Sequence, residues 1–97
     1  MRHEELTKQI IGCAMTVYRS LGGGFQEVIY QRALAIELGL NNLHFERELE
    51  MNIYYRDRAI GTRRVDFFIA DKIMVELKAL IKLEDWHLSS YELFGSV

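Results

Sequence analysis

Between Glu4 and Leu21 apolar side chains recur at Leu6, Ile10, Ala14, Val17 and Leu21, with Ile11 and Tyr18 widening the stripe. Steps of three and four residues put them on one face of a helix. Glu4 and Glu5 complement the positive end of its dipole, and Gly22, Gly23 and Gly24 stop it. A second helix is predicted over residues 25–38, closed by Gly39. It is apolar on more than one side, which predicts deep burial. Glu27, Tyr30 and Leu34 share one of its faces, with Gln31 beside them. A carboxylate on a buried helix needs a partner.

After Asn41 and Asn42, which read as a turn, the period changes to two. Phe45, Arg47, Leu49, Met51, Ile53 and Tyr55 share one parity; Glu46, Glu48, Glu50, Asn52 and Tyr54 share the other. This predicts a half-buried strand over residues 43–55. Arg56, Asp57 and Arg58 read as a charged turn, and residues 59–69 as the next strand with Gly61 as a candidate bulge. Ala70, Asp71 and Lys72 form another turn before a third strand over residues 73–80. From Leu83 onward, Leu83, Trp86, Ser90 and Leu93 make one interrupted helical stripe, and His87, Tyr91 and Phe94 another. The pattern predicts an α+β fold: two N-terminal helices, a three-stranded antiparallel meander and a short C-terminal helix.

The stretch RVDFFIADKIMVELK, residues 64–78, places Asp66, Glu76 and Lys78 in strands, where charge is disfavoured. Loop length decides what these charges do. A three-residue loop, Ala70-Asp71-Lys72, pairs Ile69 with Ile73, sets Asp66 opposite Glu76 and sets Arg64 opposite Lys78. Val65, Phe67, Ile69, Ile73, Val75 and Leu77 then form an apolar opposite face. A two-residue loop slips the register and turns Asp66 away from Glu76. The three-residue loop segregates the faces more cleanly. Facing carboxylates repel unless one protonates or a cation lies between them. Oxygen donors suit Mg²⁺ or Mn²⁺, with Lys78 placed to orient water or steady an oxyanion. The competing reading is a set of ordinary charges on a solvated sheet face.

The chain has 97 residues, 49% of them hydrophobic, enough for one domain with its own core. A net charge of −2 argues against a general polyanion-coating protein and leaves a local basic patch open. The single cysteine, Cys13, falls inside the first helix and reads as a core thiol in a reducing compartment. No secretory signal or membrane-spanning apolar run is present, which predicts a cytoplasmic chain. His3, His44 and His87 are scattered and show no zinc-ligand spacing. Arg56, Arg58, Arg63 and Arg64 read equally as phosphate contacts and as a solvated hairpin offsetting Glu46, Glu48 and Glu50.

Asp66, Glu76 and Lys78, spaced D-x(9)-E-x-K, resemble the PD-(D/E)XK nuclease superfamily. GFQEVIY at residues 24–30 resembles the signature of the bacterial GxxExxY proteins. The FERE segment at Phe45, the RVDFF strand and the VELKAL strand resemble that family in the same order, over residues 4–87. The resemblance implies a restriction-endonuclease-like α/β/α core spanning residues 1–97 as a single domain. It implies Asp66, Glu76 and Glu27 as ligands of Mg²⁺ or Mn²⁺, and Lys78 as the catalytic lysine. Tyr30 and His87 are implied as supporting residues, Tyr30 by bonding Glu27 or by packing. The implied partner is nucleic acid, DNA in the first instance, and no membrane.

The sequence departs from the pattern in having no proline, in carrying Ser90 where the relatives carry glutamine, and in ending before the last core strand. That ending implies an exposed sheet edge, lower stability or a homodimer formed through that edge. Two functions follow: a divalent-metal-dependent phosphodiesterase, or a catalytically inactive nuclease-fold module that binds nucleic acid or protein. A small protein that folds only as an oligomer is the third reading.

Overall fold

The computed structural model describes residues 3–77 and the backbone of residues 87–90. The elements run α1 (Glu4–Leu21), α2 (Glu27–Leu40), β1 (Phe45–Tyr55), β2 (Arg58–Ile69), β3 (Ile73–Glu76) and β4 (His87–Ser90). The strands form one antiparallel sheet in the order β1-β2-β3-β4. The α+β order of two helices followed by a meander is therefore as the periodicity predicts.

The helices cover one face of the sheet. α1 contributes Ile10, Cys13, Ala14 and Val17, three and four residues apart, and α2 contributes Tyr30, Leu34 and Leu38, four apart. They close on Phe67, Ile69, Ile73, Val75 and Leu77, with Phe45 and Leu43 packed at the margin. Phe67 is wholly buried, its ring 5.8 Å from that of Phe45. Truncating such a side chain to alanine costs about 3–5 kcal/mol. Cys13 lies in this core and burial, followed by the charge of Glu37, pushes its thiol pKa up, consistent with a packing role.

α2 does not stop at Gly39. It runs one residue further and ends on paired backbone bonds: Leu43 N–H to the Leu38 carbonyl and Asn42 N–H to the Gly39 carbonyl, both 3.0 Å. Asn42 takes the left-handed conformation, φ 56°, that this closure needs. Asparagine substitutes for glycine there because its short polar side chain tolerates that region.

The β2–β3 loop is Ala70-Asp71-Lys72, with Ile69 opposite Ile73 and Phe67 opposite Val75. The apolar face predicted from that loop length is the buried one. Met74, paired with Phe68, is also buried, although its parity assigns it to the polar face. At the other end of β2 the turn is two residues, Arg56 and Asp57, both left-handed at φ 49° and 62°. Arg58 thus belongs to the strand. Ile53 opposes Gly61 and Tyr54 opposes Ala59, so Ile60 is the extra residue of a bulge beside Gly61.

Residues 87–90 correct the predicted C-terminal helix. They form β4, antiparallel to β3, with Glu76 opposite His87 and Ile73 opposite Ser90. Ser89 and Ser90 are poor helix formers, and the outer edge of β3 offers them a row of backbone partners. Residues 73–76 of the outer β3 edge are thus paired by β4, and β1 and β4 form the edges of the sheet. Residues 83–86 and 91–97, also assigned to the predicted helix, lie outside the described residues. No described helix is long and apolar enough to cross a membrane.

Candidate functional site

Tyr30 fixes the start of α2. Its hydroxyl donates to the Gly22 carbonyl at 2.6 Å and accepts from the Phe25 N–H at 3.2 Å. Its ring is wholly buried, edge-on to Phe25. The glycine loop before α2 is thereby tied to the helix it feeds. Gly22 and Gly24 sit at φ 68° and 99°, conformations that side chains disfavour. Tyr30 bonds the backbone of this loop and orients the first turn of α2.

Glu27 occupies that first turn. Its pKa is raised, first by burial and then by the negative charge of Asp66. The fold therefore brings a helix carboxylate and a strand carboxylate into one electrostatic neighbourhood. Gln31, one helical turn on, donates to Glu27 Oε1 and accepts from Arg47, each at 3.4 Å. The Arg47 guanidinium lies 5.3 Å from the centre of the Phe67 ring. A side-chain path thus runs from β1 to Glu27. Its signal in the sequence was the four-residue step from Glu27 to Gln31.

At Asp66 the β2–β3 ladder gives way to side-chain bonding. Backbone pairing reaches Phe67 and Val75; beyond it, Asp66 Oδ2 accepts the Leu77 N–H at 2.7 Å. One carboxylate oxygen thus replaces a ladder carbonyl, and the other stays available. Glu76, the next residue after the ladder ends, forms an ion pair with Arg63. Periodicity assigns Arg63 to the apolar parity of β2 and offers no hint of this pairing. Lys78 lies outside the described residues. His87 is described by its backbone alone, in register with Glu76.

A second cluster was not visible in the histidine spacing. Ligand atoms of His44, Glu46 and Asp71 lie within 4.8 Å of one another, and all three residues are exposed. His44 and Glu46 are two apart at the start of β1. Asp71 arrives through the β2–β3 turn, which is held to β1 by the Ala70 N–H donating to the His44 carbonyl at 2.7 Å. Among the described residues this is the set of three that stands this close; Glu27, Asp66 and Glu76 are spread wider.

The donors around Asp66 are carboxylate oxygens, which suit hard cations such as Mg²⁺ or Mn²⁺. Burial first and the charge of Asp66 second raise the Glu27 pKa, and a cation beside the two carboxylates would relieve only the second part. Arg63 already supplies positive charge at Glu76. The donor chemistry of Asp66, Glu76 and Glu27 suits a divalent cation, while their ligand atoms stand wider apart than those of the His44 cluster.

A family model for the PD-(D/E)XK nuclease superfamily matches residues 4–91. No curated protein and no solved structure matches the chain.

Proposed function

Because the chain belongs to the PD-(D/E)XK nuclease superfamily, we propose that it hydrolyses phosphodiester bonds in nucleic acid with the help of a bound divalent metal. The observation that carries this reading is the end of the β2–β3 ladder at Asp66, whose carboxylate accepts the Leu77 amide beside the ion-paired Glu76, with Asp66 adding to burial in raising the Glu27 pKa. Asp66, Glu76 and Glu27 would hold Mg²⁺ or Mn²⁺. Such an ion supplies charge stabilisation at a phosphate and lowers the pKa of bound water.

The protein's own residues do the positioning. The Leu77 amide fixes the Asp66 carboxylate and leaves one oxygen outward. Gln31 holds Glu27, and Tyr30 holds the turn that carries it. Arg63 balances Glu76 until another cation takes that part. Lys78, two residues beyond Glu76, takes the role of catalytic lysine by its place in the motif. The GFQEVIY segment supports the narrower GxxExxY assignment, with Tyr30 as its structural tyrosine. A cytoplasmic location accords with the single buried cysteine.

The Arg63–Glu76 pair also favours a second reading, in which the fold is kept for binding and turnover is lost. Incubation with short DNA and RNA substrates in Mg²⁺ and Mn²⁺ separates the two. Metal-dependent cleavage that disappears in Glu76→Ala supports the enzyme. Nucleic-acid binding without cleavage in either metal supports the inactive module.

A further inference from the structure

The β1–β2 hairpin outgrows the core that supports it. On β2 burial begins at Val65, and residues 58–62 are exposed without alternation. On β1 the last two residues, Tyr54 and Tyr55, are exposed as well. The distal part is therefore a two-stranded ribbon open to solvent on both faces, and the molecule measures 43 × 26 × 20 Å. From Asp66 to Arg58 the strand rises about 26 Å at roughly 3.3 Å per residue.

Charge is arranged unevenly along this ribbon. Its inner arginines are committed: Arg63 to Glu76, and Arg64 to Glu48 at 2.8 Å. At the tip, Arg56 and Arg58 have no carboxylate partner among the described residues, although Asp57 lies between them. Arg56 instead lies over the Tyr55 ring, 5.6 Å from its centre, with Nε 3.4 Å from the Tyr55 hydroxyl. Tyr55 and Ile60 are 61% and 66% exposed. Tyr55 and Ile60 thus flank the two arginines, and an exposed surface that joins aromatic, aliphatic and cationic groups is of the kind that marks an interaction site.

We propose that the tip of this hairpin is an arm that enters the major groove of duplex DNA bound at the Asp66 site. This rests on the nucleic-acid reading of that site. Two strands about 4.8 Å apart make a ribbon that a groove about 12 Å wide and about 8.5 Å deep admits. Arg56 and Arg58 meet phosphates at the groove walls, and Tyr55 and Ile60 supply the apolar contact between them. The shaft's arginines are paired with Glu76 and Glu48, which leaves DNA contact to the tip. A-form RNA offers no equivalent, because its major groove is too narrow for side chains to read. The bulge at Ile60 adds right-handed twist, which suits a ribbon following a helical groove.

The test is anisotropy of a labelled short DNA duplex against the full chain in chelator, compared with Arg56→Ala/Arg58→Ala and with Lys8→Ala. The double variant binds at least about tenfold more weakly, and its log–log salt slope falls by about two. Lys8→Ala, an exposed cation on α1 away from the hairpin, binds as the wild type does. Circular dichroism confirms that the exposed substitutions leave the fold unchanged, and Arg56→Lys/Arg58→Lys recovers most of the binding. Unchanged affinity in the double alanine variant overturns the arm while leaving the site reading intact. No binding and no cleavage by the wild type overturns both. Equal affinity for duplex RNA, or concentration-dependent sedimentation that Tyr55→Ser abolishes, assigns the tip elsewhere and also overturns the proposal.

Discussion

The Asp66 carboxylate accepts the Leu77 amide at 2.7 Å, taking the place of a backbone carbonyl where the β2–β3 ladder ends. This bond lets β3 diverge without leaving a half-buried amide unpaired. Asp66→Ala should cost about 1–3 kcal/mol in urea unfolding, the penalty for that orphaned donor. Asp66→Asn keeps a neutral acceptor and should cost roughly half as much. Equal stability of the alanine variant and the wild type contradicts the structural half of the role assigned to Asp66.

Tyr30→Phe keeps the buried ring and removes both backbone bonds of its hydroxyl. The expected loss is about 1–2 kcal/mol in thermal or urea unfolding. Hydrogen exchange should quicken at Phe25, whose amide loses its acceptor. An unaltered exchange rate there argues against the tyrosine as the tie of the glycine loop.

Glu27 makes stability depend on pH with a definite sign. Its folded pKa is raised above the ordinary value of 4.5, by burial first and Asp66 second. As pH climbs from that ordinary value through the raised one, the folded state holds the proton more tightly than the unfolded state. Stability therefore falls across that window and stays lower above it. Glu27→Gln should melt above the wild type at pH 7 in chelator, and the difference should vanish below about pH 4. A melting difference of the opposite sign, or one independent of pH, contradicts the assignment.

Much of this was legible in the chain. The clean apolar parity of Val65, Phe67, Ile69, Ile73 and Val75 required the loop Ala70-Asp71-Lys72, and that loop is present. What the pattern misjudged were competitions between partners. Gly39 signals a helix end, but Asn42 accepts the left-handed closure and the helix runs on. The stripe through Trp86 and Ser90 reads as helical, while the open edge of β3 recruits residues 87–90 as a strand. The His44, Glu46 and Asp71 cluster is invisible to spacing because a turn joins its third member to the other two. The partner of Glu76 was also missed, since parity places Arg63 on the other face.

Arg63→Ala removes a cation that competes for Glu76. The variant should bind Mn²⁺ roughly three- to fivefold more tightly at low salt, the scale of a partly exposed ion pair. The gain should shrink as ionic strength rises. Weaker Mn²⁺ binding in this variant would mean that Arg63 supports the site in some other way.

The central claim is a cation site at Asp66, and the exposed cluster at His44 is a rival for any added metal. The most direct measurement is calorimetric Mn²⁺ titration of His44→Ala and of His44→Ala/Asp66→Asn. The asparagine keeps the Leu77 acceptor while removing the charge. Saturable binding is expected in the first protein and its loss in the second; equal heats in the two would contradict a cation site at Asp66.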